Sequence, residues 1–122
     1  MARVLVIDDD DMIREVAGLS LSLLGGHEVV EASGGLAGVE AARSAPPDAI
    51  LLDVMMPDLD GPGTLALLQA DPVTTVVPVV FLTAKVLRAE VERLQALGAR
   101  GVIAKPFDPV ALAPELGRLL GW

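Results

Sequence analysis

Five short apolar runs alternate with segments in which apolar residues recur with the period of an α-helix. This alternation restricts the possible folds of the chain more than any other feature of the sequence. The run Ala49–Leu52 is uniformly apolar, as expected for a strand that is buried on both faces. Strands that alternate with helices are typical of a parallel sheet with right-handed crossover connections. The sequence therefore predicts an α/β fold with five parallel strands, doubly wound in (βα)5 order, with helices on both faces.

The boundaries of the elements follow from the apolar runs and from glycine and proline punctuation. The predicted strands are Arg3–Ile7, His27–Ala32, Ala49–Leu52, Val76–Leu82 and Gly101–Ala104. The predicted helices cover about residues 12–24, 35–43, 64–70 and 87–97, and a last one that Asp108 caps. Pro114 interrupts this last helix and predicts either a kink or a late start. Since no linker breaks the pattern, we expect residues 1–122 to form one domain.

Composition excludes several classes of function. The chain has 17 acidic and 9 basic residues, a net charge of −8, and few aromatic residues, which argues against direct binding to nucleic acid. It has no cysteine, so thiolate chemistry and cysteine-bound zinc are excluded. No apolar run approaches the ~20 residues of a membrane span. We expect a soluble, cytoplasmic protein that does not bind membranes.

Polar residues directly follow four of the five predicted strands. They are Asp8 and Asp9 after the first, Asp53 after the third, Thr83 after the fourth and Lys105 after the fifth. Ligands of open parallel sheets bind beyond the carboxyl ends of the strands. With the strand order 2-1-3-4-5, these side chains meet around Asp53, and a lysine is long enough to cross the intervening strand. The single histidine, His27, lies far from this group and is expected to be solvated.

These residue types indicate phosphoryl chemistry. Three adjacent carboxylates repel one another, so they either take up protons or bind a hard cation through oxygen, for which Mg²⁺ is the natural candidate. Lys105 and the Thr83 hydroxyl would contact the oxygens of a phosphoryl group. Asp53 would then act as the nucleophile and form an acyl phosphate.

Four motifs carry a family resemblance, and they occur in order along the chain. They are VLVIDDD at residues 4–10, LLDVMMPDLDG at 51–61, FLTAK at 81–85 and KPF at 105–107. A chain with these motifs resembles the receiver domains of bacterial two-component response regulators, of the chemotaxis-regulator type, over essentially its whole length. The resemblance implies a flavodoxin-like fold with the strand order 2-1-3-4-5. It also implies that Asp53 accepts a phosphoryl group from a histidine kinase or a phosphotransfer protein.

The resemblance also implies a role for each of the other site residues. Thr83 and Lys105 would contact the phosphoryl group, and the peptide bond between Lys105 and Pro106 would be cis. The metal, Mg²⁺ or alternatively Mn²⁺, would be held by Asp8 (mainly through water), Asp9, Asp53 and the backbone carbonyl of Met55. A downstream protein would bind the face of helix 4, strand 5 and helix 5, and phosphorylation could produce a homodimer. The protein would assist its own phosphorylation and slow dephosphorylation without being an enzyme in the usual sense.

Three positions concern the switch and the lifetime of the phosphorylated state. Val102 stands where the family usually has an aromatic switch residue, so the usual aromatic rotamer change is absent. Met55 and Lys85 occupy the two positions that, by the resemblance, tune the lifetime of the acyl phosphate in this family. Because the apolar side chain of Met55 cannot orient a water molecule, we expect slow self-hydrolysis.

Two other functions remain open from the sequence. A receiver-like docking module that is never phosphorylated is compatible with Val102. A magnesium-dependent phosphatase of the haloacid-dehalogenase type also forms an aspartyl phosphate, but it needs an acid where this chain has Met55. The glycine pattern at residues 61–66 is too far from a strand end to bind a dinucleotide, and the acidic stretch around Asp58 lacks the ligands of a calcium loop.

Overall fold

The computed structural model describes residues 1–122 and contains one sheet of five parallel strands in the order β2-β1-β3-β4-β5, as predicted. The strands are β1 (Arg3–Ile7), β2 (Glu28–Ala32), β3 (Ala49–Asp53), β4 (Val79–Thr83) and β5 (Gly101–Ala104). The helices are α1 (Asp11–Leu19), α2 (Gly35–Ser44), α3 (Gly61–Ala70), α4 (Arg88–Ala96) and α5 (Leu112–Leu120). None of the helices is long and apolar enough to cross a membrane.

The sheet separates two apolar cores, because successive side chains of a strand point to opposite faces. On one face, side chains such as Ile50 and Phe81 pack with residues of α2, α3 and α4. On the other face, side chains such as Leu51 and Leu82 pack with α1 and α5. The central strands β3 and β4 are buried along their whole length, which explains why their sequences are uniformly apolar.

The register of the strands brings their carboxyl ends to one edge. Ile7 of β1 lies opposite Leu52, Asp53 of β3 lies opposite Leu82, and Thr83 of β4 lies opposite Ala104. Residues that end or directly follow these strands therefore collect at the same edge of the sheet. This confirms the arrangement on which the predicted site depends.

The start of the fourth strand was predicted three residues too early. Residues before Val79 form turns, in which Thr75 donates to the carbonyl of Asp71 at 2.8 Å and Val77 donates to that of Thr74 at 3.0 Å. Pro78 has no N–H group to donate to a sheet; its carbonyl accepts from the N–H of Ile50 at 2.9 Å, and the paired residues of β4 begin at Val79. The apolar run from Val76 onward is thus longer than the strand.

The last helix shows the predicted late start, but its cap was wrongly assigned. Asp108 does not cap α5; its side chain accepts a hydrogen bond from Val110 N–H at 2.9 Å in a preceding turn, and Ala111 is the N-cap. Pro114 consequently lies in the first turn of α5. Its missing N–H is tolerated there, because the first N–H groups of a helix have no partner within the helix.

The first helix departs from the predicted single α-helix. It is α-helical only to Leu19, and Ser20–Leu24 form a π-helical segment in which Gly25 donates to the carbonyl of Ser20 at 3.2 Å. Asp10 caps α1 by accepting from Met12 and Ile13 N–H groups. The remaining boundaries differ from the prediction by one to three residues: β2 begins at Glu28, β3 includes Asp53, α3 begins at Gly61 and α4 at Arg88.

His27 lies outside β2 and is half-buried, so the prediction of a solvated side chain was wrong. Its Nδ1 accepts a hydrogen bond from the backbone N–H of Ala2 at 3.1 Å. Its ring lies 5.2 Å from the ring of Trp122, measured between centroids. The histidine thus joins the two ends of the chain.

Candidate functional site

Three carboxylates meet at the carboxyl edge of the sheet and form what we call the acidic cluster: Asp8, Asp9 and Asp53. One carboxylate oxygen from each lies within 4.8 Å of the others. Asp8 directly follows β1 and is fully buried, Asp53 ends β3 and is 2% exposed, and Asp9 is exposed. The cluster therefore has a buried floor and one carboxylate that faces solvent.

Lys105 reaches into the acidic cluster from β5, across the intervening strand β4. Its Nζ lies 2.9 Å from Oδ1 of Asp53 and 3.3 Å from Oδ2 of Asp8, and its side chain is 19% exposed. Its backbone N–H donates to the carbonyl of Thr83 at 2.9 Å, and the peptide bond to Pro106 is cis. The ammonium group is thus placed between two buried carboxylates.

The pKa values of Asp53 and Lys105 are both raised, but for different reasons. Burial raises the pKa of Asp53 to about 6, while the hydrogen bond from Lys105 acts against the rise and the charge of Asp8 adds to it. Burial alone would lower the pKa of Lys105, but its hydrogen bond to Asp53 and the charges of Asp8 and Asp53 raise it above the ordinary value. At neutral pH the site therefore holds a carboxylate and an ammonium ion.

Asp8 uses both of its carboxylate oxygens within the protein. Oδ1 accepts from the backbone N–H of Asp10 at 2.9 Å, and Oδ2 accepts from Lys105. Lys105 is thus held by Asp8 as well as by Asp53. Asp8 therefore supports the lysine directly.

Thr83 lies beside the acidic cluster but makes no hydrogen bond to it. It is buried at the end of β4, where its hydroxyl oxygen accepts from the backbone N–H of Lys85 at 3.0 Å. The other positions named from the sequence are spread around the site. Met55 is 73% exposed, Lys85 is exposed, and Val102 is half-buried opposite Phe81 and packs against the core beneath α4.

Sequence analysis missed Asp58 as a structural residue of the site. Its carboxylate accepts hydrogen bonds from the backbone N–H groups of Gly35 at 3.3 Å and Leu36 at 3.2 Å. These bonds lower the pKa of Asp58, and the bond from Leu36 has the largest effect. A Cβ atom on Gly34 would come within 3.0 Å of this carboxylate. Asp58 thereby ties the loop that follows Asp53 to the start of α2. No local pattern signals a contact across 22 residues.

Arg14 was also missed, although the sequence holds a signal for it. Its guanidinium donates to the backbone carbonyl of Asp8 at 2.7 Å and to the carboxylate of Asp11 at 2.5 Å. An arginine three residues after an aspartate faces it on a helix, and here the aspartate ends a run of four acids. This pattern could have placed a second cation near the acidic cluster.

Comparison with known proteins assigns the family. The sequence model of the response regulator receiver domain matches residues 4–116. The chain belongs to this family. The receiver domain is similar to the protein PilH of Pseudomonas aeruginosa, with 34% identity over 122 residues that cover 98% of each chain. It is 37% identical over 117 residues to the transcriptional regulatory protein CseB of Streptomyces avermitilis, covering 96% of this chain and 48% of CseB.

Solved structures agree with this assignment. The receiver domain matches the chemotaxis protein CheY4 of Vibrio cholerae with a TM-score of 0.91 and 31% identity, covering 98% of each chain. A response regulator of Chloroflexus aurantiacus matches with a TM-score of 0.89 and 30% identity. The receiver domain therefore spans nearly all of PilH and CheY4 and about half of CseB. It is a domain of two-component signalling.

Proposed function

We propose that this receiver domain accepts a phosphoryl group on Asp53 from a histidine kinase or a phosphotransfer protein, and that this changes its affinity for a downstream protein. The observation that carries the proposal is the 2.9 Å contact between Lys105 Nζ and the buried carboxylate of Asp53. A nucleophile at a strand end, beside a fixed cation, suits a reaction in which positioning and charge neutralisation supply most of the catalysis.

The transfer step is a displacement at phosphorus. A carboxylate oxygen of Asp53 forms a bond to phosphorus while the P–N bond of phosphohistidine breaks, and the imidazole leaves with the electron pair and takes a proton from water. With acetyl phosphate as donor, the P–O bond breaks and acetate leaves. Because the pKa of Asp53 is about 6, the carboxylate is ready to react at neutral pH. No general base is needed, since Asp53 carries no proton to remove.

The acidic cluster fits a hard divalent cation, Mg²⁺ or Mn²⁺. Its three carboxylates offer oxygen ligands within 4.8 Å of one another, and one lysine does not neutralise them. Asp9 and Asp53 would hold the ion, with the backbone carbonyl of Met55 as a further ligand and Asp8 acting mainly through water. A bound ion supplies positive charge for the phosphoryl oxygens.

Thr83 and the neighbouring loop carry the proposed switch. The Thr83 hydroxyl would leave the N–H of Lys85 and turn toward the phosphoryl group, pulling on the loop before α4. The affected surface is α4, β5 and α5, which we call the output face. Val102 provides no aromatic ring to follow this movement, and the apolar side chain of Met55 leaves the acyl phosphate slow to hydrolyse.

The biological setting is part of the same proposal. We place residues 1–122 in one receiver domain that acts in the cytoplasm, with phosphorylation as its input and a protein contact or homodimer as its output. It is not an enzyme that turns over a separate substrate. The exposed, apolar Met55 argues against the phosphatase alternative, which needs an acid at this position.

Intact mass spectrometry after incubation with acetyl phosphate tests this function. We expect the wild type to gain one phosphoryl group only when Mg²⁺ is present, and Asp53→Asn to gain none. Asp48→Asn is the matched control, because Asp48 is an exposed aspartate beside β3 whose carboxylate accepts from the backbone N–H of Arg3. A wild type that binds Mg²⁺ but forms no adduct, from acetyl phosphate or from a phosphorylated histidine domain, would contradict the proposal and favour the docking module.

A further inference from the structure

The side chain of Arg14 joins three elements beside the acidic cluster. Nη1 donates to the backbone carbonyl oxygen of Asp8 at 2.7 Å, and Nη2 donates to the carboxylate of Asp11. Nε lies 3.3 Å from Oε1 of Glu31, at the end of β2. The side chain is only 16% exposed, so the guanidinium is held at the end of β1, the first turn of α1 and β2 together.

The contact with Asp8 falls on the peptide group between two members of the acidic cluster. The orientation of this peptide plane sets the direction in which the chain leaves Asp8 and therefore where the carboxylate of Asp9 lies. The backbone N–H of Asp8 donates to the carbonyl of Ala32 at 3.2 Å, which fixes the preceding peptide. Arg14 fixes the following one. Asp9 itself is exposed and has no such support from its side chain.

Glu31 anchors the arginine on the neighbouring strand. A Cβ atom on Gly18 would come within 3.3 Å of Oε2 of Glu31, so the glycine in α1 leaves the space that the glutamate occupies. Glu31 and Asp11 both pair with the positive charge of Arg14. The guanidinium can therefore hold the Asp8 carbonyl by a hydrogen bond of fixed geometry.

We propose that Arg14 is a positioning residue, anchored by Glu31, that holds the Asp8–Asp9 turn in the shape that binds the divalent cation. The inference rests on the proposed function, because it concerns the same cation site. Groups that orient metal ligands from the second layer typically contribute about 10-fold to 100-fold to metal affinity.

Charge and positioning predict opposite effects, which makes the inference testable. If Arg14 acted only through its charge, its removal would strengthen the binding of a cation to the acidic cluster. If it positions the turn, its removal weakens binding despite the gain in negative charge. Lysine at this position keeps the charge but cannot reproduce the planar fork that contacts Asp8 and its acidic partners together.

The experiment is calorimetric titration of MgCl₂ into the intact chain. We expect Arg14→Ala to raise the Kd for Mg²⁺ about 10-fold, Arg14→Lys to raise it less, and Glu31→Gln to raise it least. The matched control is Arg43→Ala, which removes an arginine whose Nε lies 2.8 Å from the carboxylate of Asp71, between α2 and the segment after α3. A Kd for Arg14→Ala equal to or below that of the wild type would overturn the inference, as would an equal rise in Arg43→Ala.

A second measurement separates this inference from the proposed function. The amide N–H of Asp10 donates to Oδ1 of Asp8, so its hydrogen exchange followed by NMR reports the shape of the turn without any metal. We expect Arg14→Ala to accelerate this exchange and Arg43→Ala to leave it unchanged. If the wild type binds no Mg²⁺, the proposed metal site is rejected. The exchange rate of the Asp10 amide still shows whether Arg14 holds the turn, because this measurement needs no metal. Unchanged exchange in Arg14→Ala would then reject the positioning role itself.

Discussion

Helices α3 and α4 each follow a strand that ends at the site, but they are held very differently. The N-cap of α3 is Asp60, whose side chain accepts from the N–H of Gly63 at 2.7 Å, and α3 buries Gly61, Thr64, Leu65 and Leu68. The N-cap of α4 is Leu87, which offers no side-chain hydrogen bond, and α4 buries only Leu94. The helix on one flank of the site is capped and packed by several buried residues, and the helix on the other flank depends on a single buried side chain.

This difference predicts which helix the proposed switch would move. Asp58 ties the loop between Asp53 and α3 to the start of α2. We therefore expect this loop to move little when Asp53 changes. The loop from Thr83 to α4 has a hydroxyl bonded only within its own turn and leads to a weakly held helix. A pull on Thr83 should therefore displace α4 before it disturbs α3.

The largest effect on stability is expected when the single buried side chain that anchors α4 is removed. Leu94→Ala deletes a fully buried side chain, so we expect a loss of about 2–5 kcal/mol in the free energy of unfolding, measured with urea. Hydrogen exchange should show that the amides of α4 lose more protection than those of α3 and the sheet. Leu68→Ala, a fully buried leucine of α3, is the matched control and should weaken both helices together. Equal loss across both helices in Leu94→Ala would refute the asymmetry.

The next test concerns the charge of Asp53, at the end of the strand that leads to α3. The pKa of Asp53 is raised from 3.8 to about 6, so the folded protein binds this proton more tightly than the unfolded chain, and stability falls as the pH rises from about 4 to about 6. We expect Asp53→Asn to be more stable than the wild type at pH 7.5 by about 1–3 kcal/mol. The advantage should disappear below pH 4. Denaturant unfolding across this range checks it.

Two results would speak against this account of Asp53. One is a wild type that is the more stable protein at pH 7.5. The other is the same pH-dependent gain in Asp48→Asn, whose carboxylate is exposed at the other end of β3. Protection of the α4 amides should be the same in both variants, because neither touches the anchor of that helix.

The smallest expected effect comes from giving α4 the cap that it lacks. Leu87 has the extended backbone of an N-cap, with φ −62° and ψ 144°, and its side chain is largely exposed. Leu87→Ser should stabilise the protein by about 0.5–1 kcal/mol and increase the exchange protection of the first turn of α4. Leu87→Ala controls for loss of the leucine. No difference between the two variants would mean that capping does not limit α4.

The positions of the strands and of the polar residues at their ends could be predicted because they depend on local rules, whereas the order of the strands rests on the family resemblance. Uniform apolar runs locate the buried strands, and residues at strand ends must share an edge in a parallel sheet, which places Asp8, Asp53 and Lys105 together. Pro78 and Pro114 marked the uncertain boundaries. The sequence could not decide how those prolines would be accommodated, because that depends on which backbone N–H groups have partners.

The contacts that support the site were harder to predict. Asp58 reaches α2 across 22 residues, and Arg14 of α1 reaches Glu31 of β2, so both contacts depend on how elements meet in space. The π-helical turn after Leu19 likewise has no simple sequence signature. Chemistry at strand ends can be inferred from the chain, whereas the second layer of contacts needs the folded structure.

The pairing of Trp122 with His27 has a practical consequence for spectroscopy. Trp122 is the only tryptophan, and it lies against the ring of His27 where the two chain ends meet, beside the opposite edge of the sheet from Asp53. Its fluorescence will therefore report when the ends come apart during unfolding and will be a poor optical probe of cation binding. The chain has no native cysteine, so a single cysteine introduced at the start of α4 could be labelled with a dye. The fluorescence of this dye would report cation binding, which Trp122 does not.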